Sequence, residues 1–257
     1  MRRAGPSTLA SAALVNLAVA NWRPRRPPSS MSELHNSPEP TAYNYRVVRQ
    51  FTLTPRLRGH ERFRGQLATA VQGFVRDGQG RVTGVRTAQG ELAADAVVLA
   101  AGLHSRALAA GLGITLPLYP LKGYSLTAPI AAGHRPPEVS VTDFEKKILY
   151  ARIGSDLRVA AMVDLVGDDA SLDAGRLASL QRSVRATFPH AADYDLATPW
   201  AGLRPATPTG APIVGASGLP GLWLNVGHGA LGFTFSFATA NIVAELVSGR
   251  ASPLPLE

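Results

Sequence analysis

The chain is 257 residues long, 46% apolar and free of cysteine, which leaves room for one large or two small domains and removes disulfides, thiolate nucleophiles, cysteine-ligated zinc and iron–sulfur clusters. Its net charge of +8 belongs to the first 65 residues, which hold 11 Arg, no Lys and 3 Glu, whereas residues 66–257 balance 15 basic against 15 acidic groups, so no nucleic-acid surface is expected. No uninterrupted apolar run reaches the 18 residues of a membrane span.

Met1-Arg2-Arg3 precedes an apolar run from Leu9 to Ala20 that closes on Ala18-Val19-Ala20. A positive start, a short apolar run and a small-x-small site have the order of a secretory signal; the alternative is a chance apolar stretch. Residues 21–45 are rich in Arg, Pro and Ser and show no helix or strand period. They read as disordered, because so polar a segment cannot offset the entropy of ordering.

From Gln66 the pattern becomes regular. Val82–Thr87 and Glu91–Ala94 form an expected hairpin through Gln89-Gly90. Ala96–Ala100 suits a buried strand, closed by Ala101-Gly102. Ile148–Arg152 and Leu157–Met162 flank Gly154-Ser155-Asp156 as a second hairpin. Leu177, Leu180, Val184 and Phe188 have helical spacing, so a helix is expected over Asp173–Phe188, capped by Ser171 or Asp173 and stopped by Pro189. Trp223–Asn225 reads as a short strand, and Ala230–Ser248 as a largely buried helix with Gly249 at its C-terminal cap. The mixture is α+β elements grafted on an α/β core.

Gly227-His228-Gly229-Ala230-Leu231-Gly232 satisfies G-x-G-x-x-G between a strand and a helix. No second strand with a ribose-binding acid fits in the 25 residues that follow, so an ordinary dinucleotide site is not expected. A glycine turn that lets a planar ligand approach, with a helix N-terminus aimed at it, does fit; so does a tight turn with no ligand. Arg204, within Trp200-Ala201-Gly202-Leu203-Arg204-Pro205, is a candidate for bidentate capture of a carboxylate or a surface loop residue. Thr207 to Gly215 is dense in Pro and Gly and reads as a rigid loop. The six His residues have no metal spacing, and His104 reads as structural. Asp164, Asp168, Asp169 and Asp173 lack the features of a calcium loop and read as loop and helix cap.

Five segments together resemble the bacterial FAD-dependent D-amino-acid dehydrogenases of the D-amino-acid oxidase superfamily. They are Val97–Gly102, Pro117-Leu118-Tyr119-Pro120-Leu121-Lys122-Gly123-Tyr124-Ser125-Leu126, the Trp200–Pro205 segment, Thr207–Gly215, and Asn225–Gly232. The resemblance covers about residues 66–250, and Lys122–Ser125 points to the dehydrogenase branch over the glycine and sarcosine oxidases, which stay as the alternative. It implies an α/β fold with an α+β substrate domain over 117–199. It also implies a partial, Rossmann-like FAD-binding domain over 66–116 and 200–250 that lacks its first βαβ unit.

The same resemblance implies that Arg204 holds the substrate carboxylate and that Tyr124 lies near the substrate. Ala101, Gly102, Gly227, His228, Gly229 and Gly232 would lie against FAD. The implied reaction oxidises a D-amino acid to a 2-oxo acid and ammonia, with an electron acceptor in the respiratory chain, in the cytoplasm or peripherally at the inner membrane. Residues 1–65 depart from the family pattern and read as out-of-frame or truncated sequence. On that reading a second chain must supply the missing FAD-binding half, or the chain is a non-catalytic remnant or accessory domain. It also leaves the Ala96–Ala100 strand without neighbours, because the first 65 residues are expected to supply none.

Overall fold

The structure, a computed structural model, describes residues 12–15, 66 and 69–254, with residues 12–15 described by their backbone alone. Apart from residues 12–15, the signal-like start and the segment expected to be disordered lie outside the described residues. The described chain divides into two units. One takes Ala12–Val15, Gln66–Pro120 and residues 204–254; the other is Leu121–Leu203.

In the first unit, β1 (Ala12–Val15), β5 (Ala96–Leu99), β12 (Leu222–Val226) and β11 (Ile213–Ala216) make one sheet in the order β1-β5-β12-β11. β5 is buried along its whole length, and β1 and β12 pair with it in parallel. An apolar strand buried on both faces is the usual centre of a parallel sheet. The expectation that β5 lacks neighbours is therefore corrected: backbone from the signal-like run, Ala12–Val15, flanks one edge. Apolarity and strand length suffice for that pairing, whatever the Pro-rich sequence after it.

A second, antiparallel sheet holds β2 (Val71–Arg76), β3 (Val82–Thr87) and β4 (Gly90–Ala93), and β3–β4 is the expected hairpin. Its buried Phe74, Val82 and Val85 join Val97, Leu99, Leu222 and Leu224 in one core. A short helix, α1 (Ser105–Ala110), follows β5 through a 3₁₀ turn at Gly102–His104.

β6 (Tyr119–Pro129) enters the second unit and β10 (Thr198–Ala206) leaves it. Between them lie β7 (Val141–Asp143), β8 (Ile148–Ile153), β9 (Asp156–Asp164) and α2 (Ala174–Thr187). The sheet order is β10-β6-β9-β8-β7. β8–β9 is the second expected hairpin, turning on Gly154 at φ +61°. α2 forms where the periodicity placed it: Asp173 Oδ1 accepts from the Arg176 N–H at 2.7 Å, capping one of the free amides of the first turn. Leu180 and Val184 are fully buried against Tyr124, Leu126, Tyr150, Leu157 and Val159 of the sheet. The Tyr150 and Phe188 rings meet edge to face at 4.9 Å, and Tyr194 donates its hydroxyl proton to the Phe188 carbonyl at 2.8 Å. Burial pushes the Tyr194 phenol up to about 12.

The last helix differs from its expectation. α3 spans Ser236–Val247, not Ala230–Ser248, and only Thr239, Ile242 and Val243 of it are buried. Gly229, at φ +53°, opens a 3₁₀ turn over Gly229–Leu231, and the chain winds through turns to Phe235 before the helix begins. Leu231, Phe233 and Phe237 are exposed. The helix is apolar on more than one side, but the described chain covers one side only.

Candidate functional site

The register of β5 and β12 positions the glycines. Leu224 pairs with Leu99, so Gly102 and Gly227 each follow the paired residue by three positions. Two parallel strands thus end side by side in glycine turns. The crevice at the carboxyl ends of parallel strands is where open α/β sheets bind ligands. Gly102 and Gly227 have φ +59° and +80°. Gly227 is required sterically as well, since a Cβ there would lie 2.6 Å from Thr207 Cγ2 and 3.0 Å from Leu118 Cδ2. Gly229 borders open space. A Cβ on Gly232 would lie 3.3 Å from the His228 Cβ, so this glycine packs on His228. Ala101 is buried, and its N–H donates to Ser105 Oγ at 3.0 Å.

His228 is half-buried, and Ala206 and His228 are joined by an antiparallel bridge. Thr239 Oγ1 donates to the Phe235 carbonyl at 3.0 Å and lies 3.3 Å from His228 Nε2. The hydroxyl has one proton to give, so which partner donates in the His228–Thr239 contact depends on the imidazole tautomer. Burial pulls the imidazole pKa below its usual value, which keeps the ring neutral at neutral pH. The helix N-terminus expected right behind these glycines instead stands at Ser236, beyond the 3₁₀ turn. The amides near the glycines are accordingly those of a turn.

Arg204 lies on β10 and is half-buried. Burial lowers its guanidinium pKa, and no carboxylate among the described residues counters this. Arg is seldom half-buried without a carboxylate beside it, and none stands beside Arg204 among the described residues.

Tyr124 is 1% exposed, in the core beneath α2, and its hydroxyl has no hydrogen-bond partner. Lys122, quoted above only as part of a motif, is buried beside it, with Nζ 5.3 Å from the Tyr124 ring centroid and 3.0 Å from Asp169 Oδ2. Burial acts to lower the Lys122 pKa, but the hydrogen bond and charge of Asp169 outweigh it and the net shift is upward. Asp169 is held at about 2 by the Ser171 N–H and hydroxyl and then by Lys122. The other carboxylates of this stretch serve the fold: Asp164 binds Arg176 and Asp173 caps α2. Among the described residues no group of His, Asp and Glu is placed to hold a metal, and His104 is exposed.

Ala101, Gly102, Gly227, His228, Gly229, Gly232 and Arg204 all belong to the first unit; Tyr124 belongs to the second. Sequence reasoning quoted Thr207 and Leu118 only inside longer motifs and did not single out Thr239; no spacing along the chain ties Thr207 or Leu118 to the Gly227 they pack on.

The family model described as FAD dependent oxidoreductase matches residues 24–246, a stretch that begins inside the segment expected to be disordered. The chain is 54% identical over 177 residues to D-amino acid dehydrogenase 2 of Pseudomonas aeruginosa, covering 69% of this chain and 42% of that protein. It is 44% identical over 187 residues to a D-amino acid dehydrogenase of Paramagnetospirillum magneticum, covering 73% and 44%. It thus spans about two-fifths of the length of these curated relatives. Glycine oxidase from Geobacillus kaustophilus superposes with a TM-score of 0.64 at 26% identity, covering 73% of this chain and 50% of that one. L-proline dehydrogenase from P. horikoshii shares the fold, with a TM-score of 0.62 at 20% identity, covering 73% and 51%.

Proposed function

Because this chain belongs to the family of FAD dependent oxidoreductases, we propose that it supplies the substrate-carboxylate site and the flavin-ring side of a D-amino-acid dehydrogenase. The observation that carries this reading is Arg204, a half-buried guanidinium with no anion among the described residues. Its planar fork matches an α-carboxylate, and its fixed position orients the substrate Cα.

The residues fit FAD in part. Gly102 and Gly227 end adjacent parallel strands, and Gly229 leaves open space, so a flat ring can approach backbone there. After β1 the sequence reads Asn16-Leu17-Ala18-Val19-Ala20-Asn21, without the glycines of a pyrophosphate-binding turn. When bound, FAD supplies the two-electron oxidant that converts the amino acid to an imino acid, which water hydrolyses to a 2-oxo acid and ammonia. Of the chain's own residues, Arg204 holds the carboxylate, and the glycine turns let the ring lie close. His228, its pKa lowered by burial, brings no extra charge near neutral pH. On this reading a respiratory-chain acceptor takes the electrons.

The test is Arg204→Ala in the full chain with FAD added, read by D-amino-acid binding. The loss of a charge-assisted bidentate contact weakens substrate by about 2–4 kcal/mol, roughly 30- to 1,000-fold, with little change in flavin affinity. Equal loss of both overturns the assignment. The unaided chain is expected to keep little FAD after dialysis, measured as flavin absorbance.

A further inference from the structure

His228 is held from three sides, and every holding residue belongs to the first unit. Its backbone bridges to Ala206 at the end of β10. Its Cβ packs on Gly232, where a side chain would stand 3.3 Å away. Its Nε2 lies 3.3 Å from Oγ1 of Thr239, a residue of α3 that is 6% exposed. A ring clamped in this way has little freedom to turn. What each of its two nitrogens meets then decides which of them carries the proton.

The Thr239 hydroxyl has a use of its own: it donates to the Phe235 carbonyl at 3.0 Å, one turn back along the helix. It has a single proton and two lone pairs. Were Nε2 bare, the hydroxyl would have to leave Phe235 to reach it, exchanging a 3.0 Å contact for one of 3.3 Å. With the proton on Nε2, the imidazole N–H gives to a lone pair of Oγ1, and the bond to Phe235 stands as well. The second arrangement makes one more hydrogen bond, a bias of roughly fivefold. Nδ1 has different surroundings. It makes no hydrogen bond among the described residues, yet it is not one of the buried polar atoms left without a partner, so it keeps contact with solvent.

We infer that Thr239 is a positioning residue of the flavin side: it holds the His228 proton on Nε2 and so leaves Nδ1 as a bare acceptor at the glycine turn, matched to an N–H of a bound ring and not to a carbonyl. The inference rests on the reading that Gly227–Gly232 lies against the flavin. Thr239 is buried and acts through His228 alone.

The test is heteronuclear NMR of the full chain with isotope-labelled histidine, at a pH where the imidazole is neutral. His228 is assigned as the signal that His228→Gln removes. Nε2 should read as the protonated nitrogen and Nδ1 as the bare one. Thr239→Val removes the acceptor, so it should mix the two tautomers. It should also make His228 bind its proton severalfold more weakly, because the imidazolium then carries an N–H without a partner. Thr239→Ser should restore both readouts. A hydroxyl that donates to a bare Nε2 gives the opposite signs: Nδ1–H in the parent, and tighter proton binding in Thr239→Val. That result overturns the inference, as does a Thr239→Val that changes neither readout or a Thr239→Ser that behaves like it. If Thr239→Val fails to fold, the parent spectrum decides, and a mixed or Nδ1-protonated ring overturns the inference. FAD added to saturation separates the two assignments. Gly227 and Gly229 amides that do not shift sink the flavin-side reading; amides that shift beside a mixed or Nδ1-protonated ring sink this inference alone.

Discussion

The two units each set a helix on a sheet and treat it differently. In the second, Leu180 and Val184 of α2 are wholly buried, with Tyr150, Phe188 and Tyr194 completing the cover. In the first, α3 buries Thr239, Ile242 and Val243 but leaves Phe237 66% exposed, and Leu231 and Phe233 beside it are exposed too. The same burial physics therefore stabilises the second unit through its helix, and the first through its strands, where β5 is shielded on both edges. The lesson is that an apolar helix is not by itself a core element; the contacts decide.

Truncation in the closed core breaks the comparison most sharply. Leu180→Ala should cost about 3 kcal/mol of stability, from lost transfer energy and the cavity left behind, read as the shift in a denaturant midpoint. A cost below 1 kcal/mol would show that α2 is not the keystone of its unit. Next comes Gly227→Ala, at about 2 kcal/mol, because φ +80° and the Thr207 methyl both oppose a Cβ. Gly229→Ala should cost less, since only its φ of +53° opposes the change.

The third effect is in pH. The Asp169 pKa is depressed to about 2, so its contribution is present above about 4 and lost as pH falls toward 2. Asp169→Asn should flatten melting temperature against pH in that window and leave the curve near neutrality parallel to the parent. The smallest effect is expected on the open helix: Phe237→Ser should change stability by no more than about 0.5 kcal/mol and reduce self-association on size-exclusion chromatography. A loss comparable to Leu180→Ala would mean that Phe237 is covered in solution.

Elements with a strong period were legible from the chain alone. α2 declared itself through Leu177, Leu180, Val184 and Phe188, and its cap and stop through Asp173 and Pro189. The two hairpins were visible because Gly90 and Gly154 supply left-handed turns between β-branched runs. β6 and β10 were legible as motifs but not as strands, since Pro120, Pro199 and Pro205 interrupt their pattern and neighbouring strands supply what propensity lacks. The start of α3 was not legible, because the apolar residues from Ala230 to Phe235 have the same pattern whether they form a 3₁₀ turn, as they begin to here, or a first helical turn. At the site, the glycines and Arg204 stood out by residue type. Lys122 did not, because its burial is a tertiary fact.

The indole that arches over Gly202 ties two positions together in how this sequence can change. A Cβ at 202 would meet the ring of Trp200, so a substitution at 202 requires that ring to move while the tryptophan stays. Shrinking residue 200 first removes that obstacle, after which alanine at 202 becomes neutral or even favourable for a strand. The order of mutations therefore matters: Gly202→Ala is harmful alone and mild in the background of Trp200→Ala. A double-mutant cycle on these two residues should show strong positive coupling.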